Sequence, residues 1–225
     1  MTGAPRQLAL ALGHADSFAR EDFLSGPTNA AALAMIERWP DWPGRALALV
    51  GPEGAGKSHL AAIWAAASGA RFLAARALAD ADLPAALATG ALVLEDAAPG
   101  IVHERSLFHL LNLAREEGAF LLLVARDPPA RWEVRLPDLA SRLRALTVLE
   151  LGAPDDALLR AVIVKQFADR QLRVDEALLA YLATRMERSF AAARDIVAAL
   201  DREALRRKRP LSRALAAELL RDDMP

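Results

Sequence analysis

The sequence contains no cysteine, which excludes disulfide scaffolds, thiolate zinc sites and cysteine nucleophiles together. It also lacks any run approaching the ~18 to 20 consecutive apolar residues that cross a bilayer, so no membrane contact is expected. The apolar stretch Leu8 to Leu12 is shorter than a secretory core segment and leads into Gly13, His14 and Asp16 rather than a small-residue cleavage site. A cytoplasmic location is the expectation. Histidine is scarce, and His14, His59, His103 and His109 show no paired metal-ligand spacing. Charge of one sign is lacking too. With 28 basic and 29 acidic side chains the formal net charge is -1, which gives no global pull toward nucleic acid.

What is present suits a soluble globular chain: 225 residues, 54% hydrophobic and 25% charged, carry enough apolar material for one large core or two modest ones. Four apolar runs of strand length, Ala46 to Val50, Ala91 to Leu94, Phe120 to Ala125 and Thr147 to Leu151, stand between helical patterns, with Arg71 to Ala74 as a weaker fifth. Strands alternating with helices predict an α/β fold with a parallel sheet covered on both faces. His59 to Ala67 and Leu107 to Glu116 read as helices. After Leu151 the pattern changes. Gly152, Ala153 and Pro154 break the chain, and only helical periodicity follows. Asp155 or Asp156, then Asp175, Ser189 and Ser212, are placed to start successive helices. The expected division is an arm over 1–15, an α/β domain over 16–152 and a small all-helical domain over 153–225.

The segment Gly51-Pro52-Glu53-Gly54-Ala55-Gly56-Lys57-Ser58 follows a buried strand and opens a helix. In that context it is a Walker A phosphate cradle rather than a chance pattern. Glycines let backbone N–H groups converge on phosphates, Lys57 neutralises the β and γ oxygens, and the Ser58 hydroxyl ligates Mg2+ at the helix N-terminus. ATP or ADP is the expected ligand, with Gly51, Gly54, Ala55, Gly56, Lys57, Ser58 and His59 around it. A second acidic element ends a later strand as Glu95-Asp96. In P-loop ATPases the first carboxylate holds Mg2+ through water and the second orients the attacking water. That assigns Glu95 to the metal and Asp96 to the water, the reverse of the common Asp-Glu order. Side chains displaced by a methylene cost catalysis more than binding. The fourth strand ends in Val124-Ala125 and offers no polar sensor.

Taken together these segments resemble the DnaA family of replication initiators, and within it the Hda branch, whose members inactivate the initiator after replication starts. The resemblance covers nearly the whole chain and implies an AAA+ P-loop domain followed by a helical lid. Phe18 to Leu33, with Asp22-Phe23-Leu24-Ser25-Gly26-Pro27-Thr28-Asn29, is similar to the family's first box, which wraps adenine; this implies Phe23 and Leu24 as base contacts. Arg126-Asp127-Pro128-Pro129 resembles an inverted form of the family's Asp-Arg-Pro-Pro. Leu136-Pro137-Asp138-Leu139-Ala140-Ser141-Arg142-Leu143 resembles the segment carrying the branch's arginine finger, which falls on Arg142.

Gln7-Leu8-Ala9-Leu10-Ala11-Leu12 resembles the peptide by which that branch binds the sliding clamp of DNA polymerase, with Ala11 where a proline is usual. Extended, it places Leu8, Leu10 and Leu12 on one face, headed by Gln7. The sequence given ends at Pro225 without the helix-turn-helix domain by which DnaA reads its origin, so sequence-specific DNA binding is not expected. The family's lid arginine falls on Ala191 here, with Arg188 and Arg194 one turn away on either side as substitutes. The resemblance therefore implies a nucleotide-holding regulator, at most a weak ATPase, that docks on the clamp. It supplies Arg142 in trans to hydrolyse ATP bound to DnaA. A homodimer is compatible with it. Two alternatives share the cradle. A small-molecule kinase would use Arg126, Arg131 and Arg135 as a phosphate lid, and a helicase-loader-like ATPase would share both domains. The basic run Arg206, Arg207, Lys208 and Arg209 reads as a solvated helix end, with DNA contact as the weaker reading.

Overall fold

The computed structural model describes residues 18–222. The 1–15 arm, including Gln7, Leu8, Leu10 and Leu12, lies outside the described residues. A 3-10 turn at Arg20–Asp22 leads to α1 (Ala30–Glu37), β1 (Ala46–Val50) and α2 (Lys57–Ser68). Then come β2 (Arg71–Ala74), α3 (Leu83–Leu87), β3 (Ala91–Ala97), α4 (Glu104–Glu116), β4 (Phe120–Ala125), α5 (Pro137–Arg144) and β5 (Thr147–Glu150). All five strands pair in parallel, in the order β2-β3-β4-β1-β5.

Side-chain alternation sorts the strand residues between two cores. Ala48, Val50, Leu92, Leu94, Leu121 and Leu123 face a cluster that includes Leu107, Leu110 and Leu111 of α4 and Leu139 and Leu143 of α5. Their neighbours Leu47, Leu49, Val93, Leu122 and Val124 face the opposite cluster, with Leu33 and Ile36 of α1 and Leu60 and Trp64 of α2. Both faces are therefore dry, which is why these strands read as unbroken apolar runs. β3 departs from simple alternation. Leu94 and Ala97 belong to the same core although they are three apart, because the register with β4 shifts between them. The Glu95-Asp96 pair thus sits inside a bulged strand rather than beyond its end.

The remaining helices are α6 (Asp156–Asp169), α7 (Glu176–Arg185), α8 (Phe190–Arg207) and α9 (Arg213–Asp222). Asp155, Asp175 and Ser189 cap the first three through their side chains, accepting from the backbone N–H groups of Leu158, Leu178 and Ala192. α7 stops at Arg185 because the chain is already extended at Met186 before it turns into Ser189. These helices bury a core of their own that includes Leu159, Ile163, Phe167, Leu182, Val197, Leu200 and Ala216. Among the described residues no helix is long and apolar enough to cross a membrane.

Candidate functional site

The carboxyl ends of parallel strands in an open sheet leave a crevice where loops diverge. Here that crevice is a cleft of about 1180 Å³, walled by the β1–α2 loop, the ends of β3 and β4, the Phe18 to Leu24 segment, α6 and α8. Gly54 and Gly56 take left-handed backbone angles, φ +71° and +92°. The loop packs against the start of α8: the Phe190 N–H donates to the Gly54 carbonyl at 2.8 Å. A Cβ on Gly54 would lie 2.7 Å from Ser189 Cβ, the residue that caps α8. We expect Gly54→Ala to destabilise the fold by about 1–3 kcal/mol from backbone strain alone, with the clash added. Urea denaturation should show the lowered midpoint, and an unchanged midpoint would mean that the loop yields freely.

Lys57 opens α2, with Gly56 as its cap residue. Its ammonium donates to the carbonyls of Gly51 and Pro52, each at 2.7 Å, and so lies over the loop. Burial pulls its pKa below the ordinary value; the Arg126 guanidinium adds to this, while Glu53 and Asp96 oppose it. Gly54, Gly56, Lys57, Ser58 and His59 line the cleft. Gly51 and Ala55 support the loop from behind: Gly51 bonds Lys57, and Ala55 is buried.

The β3 bulge separates the two acids. Asp96, at φ +54°, is on the cleft wall. Glu95 is half-buried and is not among the described residues of that wall. Burial first, and then the neighbouring Asp96, raise the Glu95 pKa. A bulge re-aims side chains in this way, and Asp tolerates the left-handed region better than most residues. Of Ser58, Glu95 and Asp96, the cleft brings together Ser58 and Asp96. Val124, Ala125 and Ala191 also line it, apolar at the points where the family resemblance implies a polar sensor.

Where the Phe18 to Leu24 segment walls the cleft, the rings of Phe18 and Phe23 meet His59 edge-on, at centroid distances of 5.4 and 5.2 Å. His59 Nε2 lies 2.9 Å from the Ala19 carbonyl. Burial chiefly lowers the His59 pKa, and a carbonyl only accepts, so the ring is neutral with its proton on Nε2. Leu24 completes this apolar end. Lys165 of α6 ties it to the helical region, donating to Asp22 at 2.6 Å and to Asp169 at 2.7 Å. Desolvation lowers the Lys165 pKa, but the two carboxylates outweigh it and the net direction is upward.

Of the two lid arginines, Arg194 lines the cleft, whereas Arg188 pairs with Asp156 away from it. Arg142 lies on α5, outside the cleft wall, with its guanidinium carbon 5.4 Å from the centre of the Phe108 ring. Glu104, one turn before Phe108 on α4, accepts from the N–H groups of Arg135 and Leu136 at 2.9 to 3.0 Å and so anchors the entry to α5. In the basic run, Arg206 and Arg207 pair with Glu203, and Arg207 also with Glu218. Hydrogen bonding, from Arg206 first, holds the Glu203 pKa well below the usual carboxylate range. Much of the run's charge is spent within the helices.

The link from Lys165 to Asp22 and the pairing of Arg126 with Glu53 have no sequence signature, since each joins residues separated by a long stretch of chain.

No protein-family model matches the chain, and neither does any curated protein. Solved structures do match. Domain III of the Thermotoga maritima replication initiation protein DnaA superposes with a TM-score of 0.76 at 19% identity, over 91% of this chain and 96% of that one. The chain shares its fold with DnaA domain III. AMPPCP-bound DnaA from Aquifex aeolicus follows with a TM-score of 0.65 at 18% identity, covering 85% of this chain and 68% of that one. The Thermotoga maritima RuvB Holliday junction branch migration motor gives 0.59 at 18% identity, over 76% and 59%. The parallel five-stranded sheet with flanking helices is thus the α/β architecture that the strand and helix pattern predicts.

Proposed function

We propose that this chain binds adenine nucleotide with Mg2+ in the cleft and acts as a regulator of the Hda type. In this reading it docks on the sliding clamp and promotes hydrolysis of ATP held by the initiator DnaA, which prevents re-initiation. The single observation that carries the regulatory part is the position of Arg142. Its guanidinium rests on Phe108 outside the chain's own cleft, which supports a role toward a site on another molecule. The domain division near Gly152 goes with this reading, supported by the separate core of α6 to α9.

The cleft residues fit a nucleotide. Gly54 and Gly56 adopt angles that side chains resist, and neither position has room for an added Cβ without crowding α8. Lys57 sits over the loop, and the Phe18, Phe23, Leu24 and His59 end is apolar enough for a base. Solved DnaA carries the ATP analogue AMPPCP, which supports the same ligand class here. Ser58 and Asp96 would hold Mg2+, Lys57 the polyphosphate, and neutral His59 the wall beside the base. The Glu95-Asp96 order, together with Ala125 and Ala191 on the wall, supports at most weak intrinsic hydrolysis.

Clamp docking rests on Gln7, Leu8, Leu10 and Leu12. A chain lacking the first twelve residues should lose capture by immobilised clamp while its nucleotide-induced stabilisation stays intact. Gln7→Ala and Leu12→Ala should each weaken capture. Undiminished capture of the truncated chain would overturn the docking assignment, and capture by the replicative helicase instead would favour the loader alternative.

A further inference from the structure

Arg126 is the first residue beyond β4, and β4 pairs with β1 so that Ala125 lies opposite Val50, directly before the phosphate loop. The register therefore brings a guanidinium beside the loop, where an acidic or neutral polar residue would make no like-charge contact with Lys57. Arg126 Nη2 donates to Glu53 Oε2 at 2.6 Å. Both side chains line the cleft with Lys57 and Asp96, yet they are 70% and 75% exposed. Such an exposed pair contributes little to stability and is readily exchanged for a better anion. Its proximity to Lys57 is seen in the downward pull of Arg126 on that ammonium. Two cations converge at this end, and the carboxylates set against them are Glu53 and Asp96. A guanidinium fork matches phosphate oxygens better than it matches one carboxylate oxygen.

We propose that Arg126 and Glu53 form a counter-ion gate at the polyphosphate end of the cleft, where a nucleoside triphosphate displaces Glu53 from Arg126. The pair thereby sets the preference between tri- and diphosphate. The inference rests on the nucleotide-binding reading given above. Its physical basis is charge. Lys57 serves either nucleotide, whereas a third phosphoryl group brings the additional negative charge that can compete with the Glu53 carboxylate. Glu53 acts in the opposite sense, as an internal anion that holds the guanidinium until a stronger one arrives.

The test is the ratio of dissociation constants for ATP and ADP, measured with Mg2+ by calorimetry on the full chain and its variants. Arg126→Ala should raise the ATP constant roughly tenfold more than the ADP constant, as for loss of a charge-assisted hydrogen bond. Arg126→Lys should recover part of that difference. Glu53→Gln, which keeps the shape and removes the competing charge, should tighten ATP by about two- to fivefold relative to ADP. Melting temperatures without nucleotide should match the unmodified chain in all three, which separates the gate from a folding defect. If Arg126→Ala leaves the ATP to ADP ratio unchanged while both nucleotides still bind, the gate is wrong and the cleft assignment stands. If the unmodified chain binds neither nucleotide, the cleft assignment fails and the gate with it.

Discussion

Replacing Arg142 by alanine should lower the stimulated release of phosphate from initiator-bound ATP by ~10³-fold or more, the scale of an arginine finger acting in trans. The assay contains clamp loaded on DNA, ATP-bound DnaA and this protein, with phosphate followed over time. Arg142 lies outside its own cleft, so the variant should keep its nucleotide affinity and its capture by clamp. Loss of rate without loss of assembly marks an interaction made in the transition state rather than in binding. Arg142→Lys should recover little, because an ammonium keeps the charge but not the planar fork. The side chain is held by Phe108 and its helix by Glu104, so its position is set by α4 as well as by α5. Stimulation by Arg142→Ala equal to that of the unmodified chain would rule out the trans-acting role and leave a nucleotide-dependent tether.

The second large effect concerns Lys57. At about 100 times its dissociation constant, a ligand that binds only the folded state adds ~2.7 kcal/mol to stability. The unmodified chain should show that gain with Mg-ATP or Mg-ADP in a thermal melt. Lys57→Ala should lose most of it. Its ammonium contacts the Gly51 and Pro52 carbonyls, both in the loop itself, so removing it should leave the nucleotide-free melting temperature nearly unchanged. A full melting shift in the variant would show that the phosphates are held elsewhere.

The parallel sheet was legible because both of its faces are covered, which forces continuous apolar strands and sets their lengths. The caps of α6, α7 and α8 were legible because Asp and Ser satisfy backbone N–H groups over a span of three residues. The glycine-rich loop was legible for a similar reason, since the glycines that a tight, left-handed path demands lie within a few residues of one another. Glu95 and Asp96 show the limit. Their identity is plain in sequence, but which of them faces the cleft depends on a register shift between β3 and β4. A shift of this kind balances pairing across two strands and leaves no mark in either strand alone.

The sequence by itself determined the strand and helix pattern and the glycine-rich loop at Gly51 to Ser58, because each rests on residue types and spacings that are local. Tertiary structure alone decided that Asp96 and Arg194 line the cleft while Glu95 and Arg188 do not. It also decided that Lys165 joins α6 to Asp22, that Arg126 meets Glu53 and that Arg142 rests on Phe108. Each of these depends on groups separated by about twenty residues or more, or on the turn of a helix against its neighbours. Long-range charge pairs and ring contacts are fixed by packing once the cores have closed, and no local pattern encodes them.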